Sequence, residues 1–163
     1  MSKITPCLWF NGQAEEAATF YTSILPDSRI DKINRAAADT PSGPQGSVLT
    51  VDFTLGGQPF IGLNGGPDFQ FNAAISFSID CQDQAEVDRY WEKLVEGGGE
   101  HSVCGWLEDR YGVSWQVIPR RLPELLNGPD PEGAARAMQA MLQMTKIDVA
   151  KIEEAYSGVP LGA

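Results

Sequence analysis

Two nine-residue stretches decide how this chain folds: Ala17-Ala18-Thr19-Phe20-Tyr21-Thr22-Ser23-Ile24-Leu25 and Val87-Asp88-Arg89-Tyr90-Trp91-Glu92-Lys93-Leu94-Val95. In the first, Ala17, Phe20, Tyr21, Ile24 and Leu25 recur at the spacing of one helix face, and Pro26 stops the run. In the second, Val87, Tyr90, Trp91, Leu94 and Val95 repeat that spacing. Asp83 with Glu86 reads as a capping box before it, and Gly97-Gly98-Gly99 closes it. The pairs Phe20-Tyr21 and Tyr90-Trp91 lie 70 residues apart, as do Ile24-Leu25 and Leu94-Val95, so one helical unit is written twice.

The flanking segments repeat as well. Ile4 to Phe10 is a short apolar run before Asn11-Gly12 and the first helix. Arg29 to Ala37 is a weaker strand, and Ala38 to Gly46, rich in Pro, Gly, Ser and Asp, is a loop. Leu49, Val51, Phe53 and Leu55 alternate with Val48, Thr50, Asp52 and Thr54, a half-buried strand that Gly56-Gly57 turns into Gln58 to Asn64. In the second half, Ala74 to Asp80 alternates before the helix. Glu100 to Glu108, the turn Asp109-Arg110-Tyr111-Gly112, and Val113 to Ile118 follow it as a hairpin. The pattern is β-α-β-β-β twice, an α+β chain. From Pro119 the composition turns helical: Ala134, Met138, Met141, Leu142 and Thr145 form one stripe, and Thr145 with Asp148 offers a cap before Ile152, Ala155 and Tyr156. We expect one domain over 1–163, with modules at about 3–66 and 72–119 and a helical extension at about 120–157.

The chain has 163 residues, 42% hydrophobic and 21% charged, and a net charge of −10. An acidic chain without a basic stripe is a poor partner for nucleic acid. No apolar run approaches the roughly 18 residues of a membrane span, and the N-terminus lacks a signal-peptide pattern, so a soluble, cytoplasmic protein is expected. Cys7, Cys81 and Cys104 are odd in number and lack C-x-x-C spacing, which fits reduced structural thiols.

Three ordered motifs carry a resemblance. They are I-T-P-C-L-W-F-N-G-Q-A-E-E-A-A-T-F-Y at 4–21, C-G-W-L-E-D-R-Y-G-V-S-W-Q-V-I-P at 104–119 and M-x-x-M-x-K-I-D-V-A at 141–150. Together they resemble the PhnB-like branch of the vicinal oxygen chelate superfamily, whose relatives include glyoxalases, bleomycin-resistance proteins and extradiol dioxygenases. Members of this branch often carry the name 3-demethylubiquinone-9 3-methyltransferase. The resemblance implies two βαβββ modules whose mixed sheets curl into a cup, helices outside and a ligand or metal within.

Metal-using relatives place four ligands at positions that, counted from Phe20-Tyr21 and from the Asp109 turn, fall here on Pro6, Gly62, Ala74 and Gln116. Three of these have no donor side chain, and one amide oxygen is too little for a divalent ion. No metal and no cofactor is therefore expected. A G-x-G-x-x-G turn between strand and helix is missing too, which leaves the methyltransferase name without a nucleotide-type cofactor site. His101 follows a glycine run as a surface residue, and Cys104 beside Gly105 reads as a structural thiol.

Three functions stay open: a metal-free binding protein for a small, partly aromatic molecule; a metal-independent enzyme in the same cup, the methyltransferase label included; and a subunit scaffold with a filled cup. The expected pocket rests on register. With Gly57 and Gly112 each at the αL position of a three-residue bulged loop, Thr54 faces Gln58, Asp52 faces Phe60, Thr50 faces Gly62, Asp109 faces Val113 and Trp106 faces Gln116. Pro6, Leu8, Thr50, Asp52, Asn64, Ser76, Trp106 and Gln116 then line the cup, and Trp115 packs beneath a helix. A homodimer is expected, with Met138, Met141 and Met144 offering an apolar contact surface. The partners are thus a small molecule and a second copy, with no nucleic acid and no membrane.

Overall fold

A computed structural model of the protein describes residues 2–159. The chain divides into two compact units, Met1–Phe71 and Asn72–Ala163.

The first unit runs β1 (Cys7–Phe10), α1 (Ala14–Ile24), β2 (Arg29–Arg35), β3 (Val48–Leu55) and β4 (Gln58–Asn64). Its sheet has the order β1-β4-β3-β2, with β1 parallel to β4 and the other pairs antiparallel. The apolar stripe of α1 covers one face: Tyr21 stacks on Phe53, Phe53 on Phe60, and Ala17, Tyr21 and Ile24 are buried with Val51 and Phe10. The first N–H of α1 is satisfied from outside the helix, by Asn64 Oδ1 accepting from Ala14 N at 2.9 Å.

The expected register of the β3–β4 hairpin is corrected here. Gly56 and Gly57 both have positive φ, 54° and 82°, and close a two-residue turn of the I′ kind in which Leu55 faces Gln58. Thr54 then faces Pro59, Phe53 faces Phe60, Asp52 faces Ile61, Val51 faces Gly62 and Thr50 faces Leu63. The one-residue difference from a bulged loop moves every β4 side chain to the other face.

The second unit repeats the plan as β5 (Ser76–Cys81), α2 (Gln84–Lys93), β6 (Glu100–His101), β7 (Trp106–Glu108) and β8 (Ser114–Pro119), with sheet order β5-β8-β7-β6. Glu100 to Glu108 supplies two of the three strands that follow α2, because Cys104 and Gly105 take φ of 56° and 82° and turn the chain between β6 and β7. The second hairpin keeps its expected form: Gly112 has φ 89°, and Asp109 N donates to Val113 O at 2.9 Å across a three-residue loop. Asp83 caps α2 by accepting from Glu86 N, and Glu86 accepts from Gln82 N.

The helices lie 70 residues apart, but the strands before them do not. The buried strand-end residues Phe10 and Cys81 are 71 apart, so the first unit carries one extra residue between strand and helix.

The extension forms three helices, α3 (Arg121–Leu126), α4 (Pro131–Leu142) and α5 (Val149–Ser157). Leu122, Leu125, Ala137, Ile147 and Ile152 make its core, with Ile118, Met141, Met144 and Tyr156 packed against them. Met138 and Leu142 remain exposed on α4. Among the described residues no helix is long and apolar enough to cross a membrane.

Candidate functional site

Each sheet has one face covered by its own helix, α1 or α2, and an opposite face that this helix leaves free, bounded in the second unit by the extension at Ile118; these helix-free faces carry the polar chemistry. In the first unit register and alternation put Cys7, Trp9, Thr50, Asp52, Ile61 and Leu63 there, with Asn34 opposite Thr50 and Lys32 opposite Asp52. Asn34 Nδ2 donates to Thr50 Oγ1 at 3.0 Å and to Asp52 Oδ2 at 3.4 Å. Trp9 is held at one end: its Nε1 donates to Gly66 O at 2.9 Å, and Phe69 meets its ring edge-on at 5.0 Å.

Of the first-unit residues expected to line a pocket, Thr50 and Asp52 lie on this face, and Leu8 and Asn64 do not. Leu8 faces Gly62 on the α1 side and is 7% exposed, and Asn64 is spent on capping α1 and on donating to Val48 O. The slipped hairpin register explains Asn64. The extra residue before α1 explains Leu8, because counting back from Phe20-Tyr21 overruns the strand by one. Pro6, whose carbonyl accepts from Ile61 N, falls on the same alternation as Leu8 and Phe10. Trp9 and Asn34 were missed. The alternation of Cys7 and Trp9 against Leu8 and Phe10 was the signal that could have found Trp9.

In the second unit Ser76, Trp106 and Gln116 come together on the helix-free face. Gln116 is the register partner of Trp106 on one side and of Ser78 on the other, and its Nε2 donates to Ser76 Oγ at 3.0 Å. Trp115 points the opposite way, 2% exposed, its ring against Phe77 and its Nε1 donating to Asp109 Oδ2 at 2.9 Å. Asp109 is itself buried and also accepts from Tyr111 N and Val113 N, so this carboxylate builds the hairpin. His101 stacks on Trp91 at 4.2 Å, and its Nε2 pairs with Trp91 O, which places it on the α2 side.

The positions that would hold a metal do not fit one. Gly62 lies on the α1 side, where a Cβ would stand 3.2 Å from that of Ala14. Ala74 precedes β5 and carries no donor atom, and Gln116, whose Nε2 donates to Ser76, would bring a single amide oxygen, too little for a divalent ion. Among the described residues no group of three His, Cys, Asp or Glu side chains could hold an ion. Thiol chemistry is no better served. Burial, helped by Glu86 and Asp80, pushes the Cys81 thiol up to about 12, and partial burial raises that of Cys7.

The 3-demethylubiquinone-9 3-methyltransferase family model matches residues 2–118, both βαβββ units through β8. The chain belongs to this family, the PhnB-like branch of the vicinal oxygen chelate superfamily. A solved PhnB protein of Bacillus cereus, described as a 3-demethylubiquinone-9 3-methyltransferase, is 38% identical over 71% of this chain and 97% of its own, with a TM-score of 0.63. A Pseudomonas aeruginosa protein shares the fold at 22% identity and TM-score 0.57, over 71% of this chain and 95% of its own. No curated protein matches the chain. Within the PhnB-like family, then, this member carries α3–α5 beyond the last matched residue.

Proposed function

We propose that this PhnB-like protein is a metal-free binding protein for a small, uncharged, oxygen-bearing aromatic molecule, held on the helix-free face of the second unit. The observation that carries the reading is the alignment of Trp106, Gln116 and Ser76. An indole offers a flat apolar wall, and the amide beside it is oriented by Ser76 to meet a carbonyl or hydroxyl. The net charge of −10 disfavours anions. The name of the Bacillus cereus relative supports the same ligand class, since demethylubiquinone is an oxygen-substituted ring. That name also supports a second reading, a metal-independent enzyme acting on such a ring. We further propose a cytoplasmic homodimer, supported by the exposed Met138 and Leu142 on α4.

Binding is tested by titrating duroquinone and 2-naphthol against protein labelled with 5-fluorotryptophan, followed by ¹⁹F NMR and calorimetry. The Trp106 resonance, assigned through Trp106→Phe, should shift on addition, and Trp106→Phe and Gln116→Leu should weaken binding at least tenfold. A full-strength complex with both variants would refute the assignment. Elemental analysis showing one tightly held divalent ion per chain would refute the metal-free claim, and light scattering showing a monomer at micromolar concentration would refute the dimer.

A further inference from the structure

The helices that follow the family-matched region are tied to the residues just before Trp106. Cys104 N donates to Met144 O at 2.9 Å, Gly105 N donates to Thr145 O at 2.8 Å, and Cys104 Sγ lies 3.5 Å from Met141 O. Both residues have left-handed backbone, and Cys104 is not a glycine, so this turn is a strained conformation that its surroundings must hold. A Cβ on Gly105 would stand 2.9 Å from Val117 O and 3.1 Å from Ile147 Cγ1, so the extension and the sheet grip the turn from both sides. The strip 144–149 is in turn clamped by α2: Gln84 Nε2 donates to Ile147 O at 3.0 Å, and Gln84 Oε1 accepts from Val149 N at 2.8 Å. Ile147 is fully buried, and Lys146 pairs with Asp88 at 2.8 Å.

We infer that the C-terminal extension is a brace that holds the 103–105 turn in its left-handed form and so sets the position of Trp106, with Gln84 as the positioning residue that locks the brace. Ile118, two residues beyond Gln116 on the same alternation of β8, packs against the extension core. The extension therefore also bounds one end of the face that bears Trp106 and Gln116. The shape of the aromatic wall is thus set by a segment outside the duplicated fold. The consequence for a ligand rests on the binding reading above, while the mechanical link does not.

The test uses the full chain with 5-fluorotryptophan, comparing Gln84→Met, Ile147→Ala and Arg136→Met. Arg136 binds Ala155 O and Tyr156 O within the extension and serves as the control for general loosening. In Gln84→Met the Cys104 and Gly105 amides should exchange at least tenfold faster and the Trp106 resonance should move or broaden, with Ile147→Ala acting the same way. Trp9 and the Arg136→Met protein should stay unchanged. Unaltered Trp106 and Gly105 signals in both loop-side variants would overturn the brace, as would an equal response in Arg136→Met. Duroquinone titration is read separately. A displaced Trp106 should weaken binding by roughly three- to tenfold, as the competent fraction falls. A moved Trp106 with unchanged duroquinone affinity upholds the brace and refutes the binding face.

Discussion

The two βαβββ units share strand order and pairing sense, yet they solve three local problems differently. The first hairpin closes on two glycines, and the second on a three-residue loop wired to a buried Asp109. Helix α1 is capped from a distant strand by Asn64, whereas α2 is capped by its own preceding residue Asp83. The helix-free face of the first unit is a hydrogen-bonded Asn34-Thr50-Asp52 row beside Trp9, and that of the second is Ser76-Gln116-Trp106. Topology survives duplication because it depends only on which faces are apolar. Chemistry and capping diverge because single side chains decide them.

The comparison breaks first at Asp109. Asp109→Ala strands two backbone donors and the Trp115 indole, and should lower stability by about 3–4 kcal/mol in urea unfolding. A loss below ~1 kcal/mol would mean that the second hairpin holds itself without the carboxylate.

The capping contrast comes next. Asn64 is buried and serves both Ala14 N and Val48 O, so Asn64→Ala should cost about 2 kcal/mol. The exposed local cap Asp83→Ala should cost about 1 kcal/mol. Equal or reversed losses would remove the distinction between a tertiary and a local cap.

The smallest effect is alkaline and confined to the second unit. Cys81 is held protonated up to about 12 in the folded protein, against 9 for a free thiol. The unfolded thiol ionises first, so stability present below pH 9 is lost as pH rises toward 12, and the Tyr90 hydroxyl, raised by partial desolvation, adds to the same trend. The urea midpoint should therefore fall between pH 8 and pH 10, and fall less in Cys81→Ala. An identical fall in both proteins would acquit Cys81.

What could be read ahead of the structure follows the same divide. The duplicated helices and the Trp106-Gln116 pairing were legible because apolar spacing and the Asp109-to-Gly112 turn admit one arrangement. Asn64 was misplaced because Gly56-Gly57 fits either a two-residue turn or a bulge, and the choice reverses a whole strand. Leu8 was misplaced by one added residue before α1, which no periodicity records. The extension read as one helical tail, but the ties from Met144 and Thr145 to Cys104 and Gly105 are backbone bonds, which side-chain patterns do not announce.

The parallel pairing of first and last strands has a kinetic side. In the first unit Cys7 must wait for Ile61 before β1 finds a neighbour, whereas in the second Ser76 waits only for Ser114. Longer loop closure slows folding, and a ribosome delivers roughly 5–20 residues per second. The N-terminal strand, with Trp9 on it, therefore spends the longest interval of any strand in the sheets as an unpaired edge during synthesis. For the first unit, exposure of an unpaired edge to aggregation is thus longest before β4 has left the tunnel.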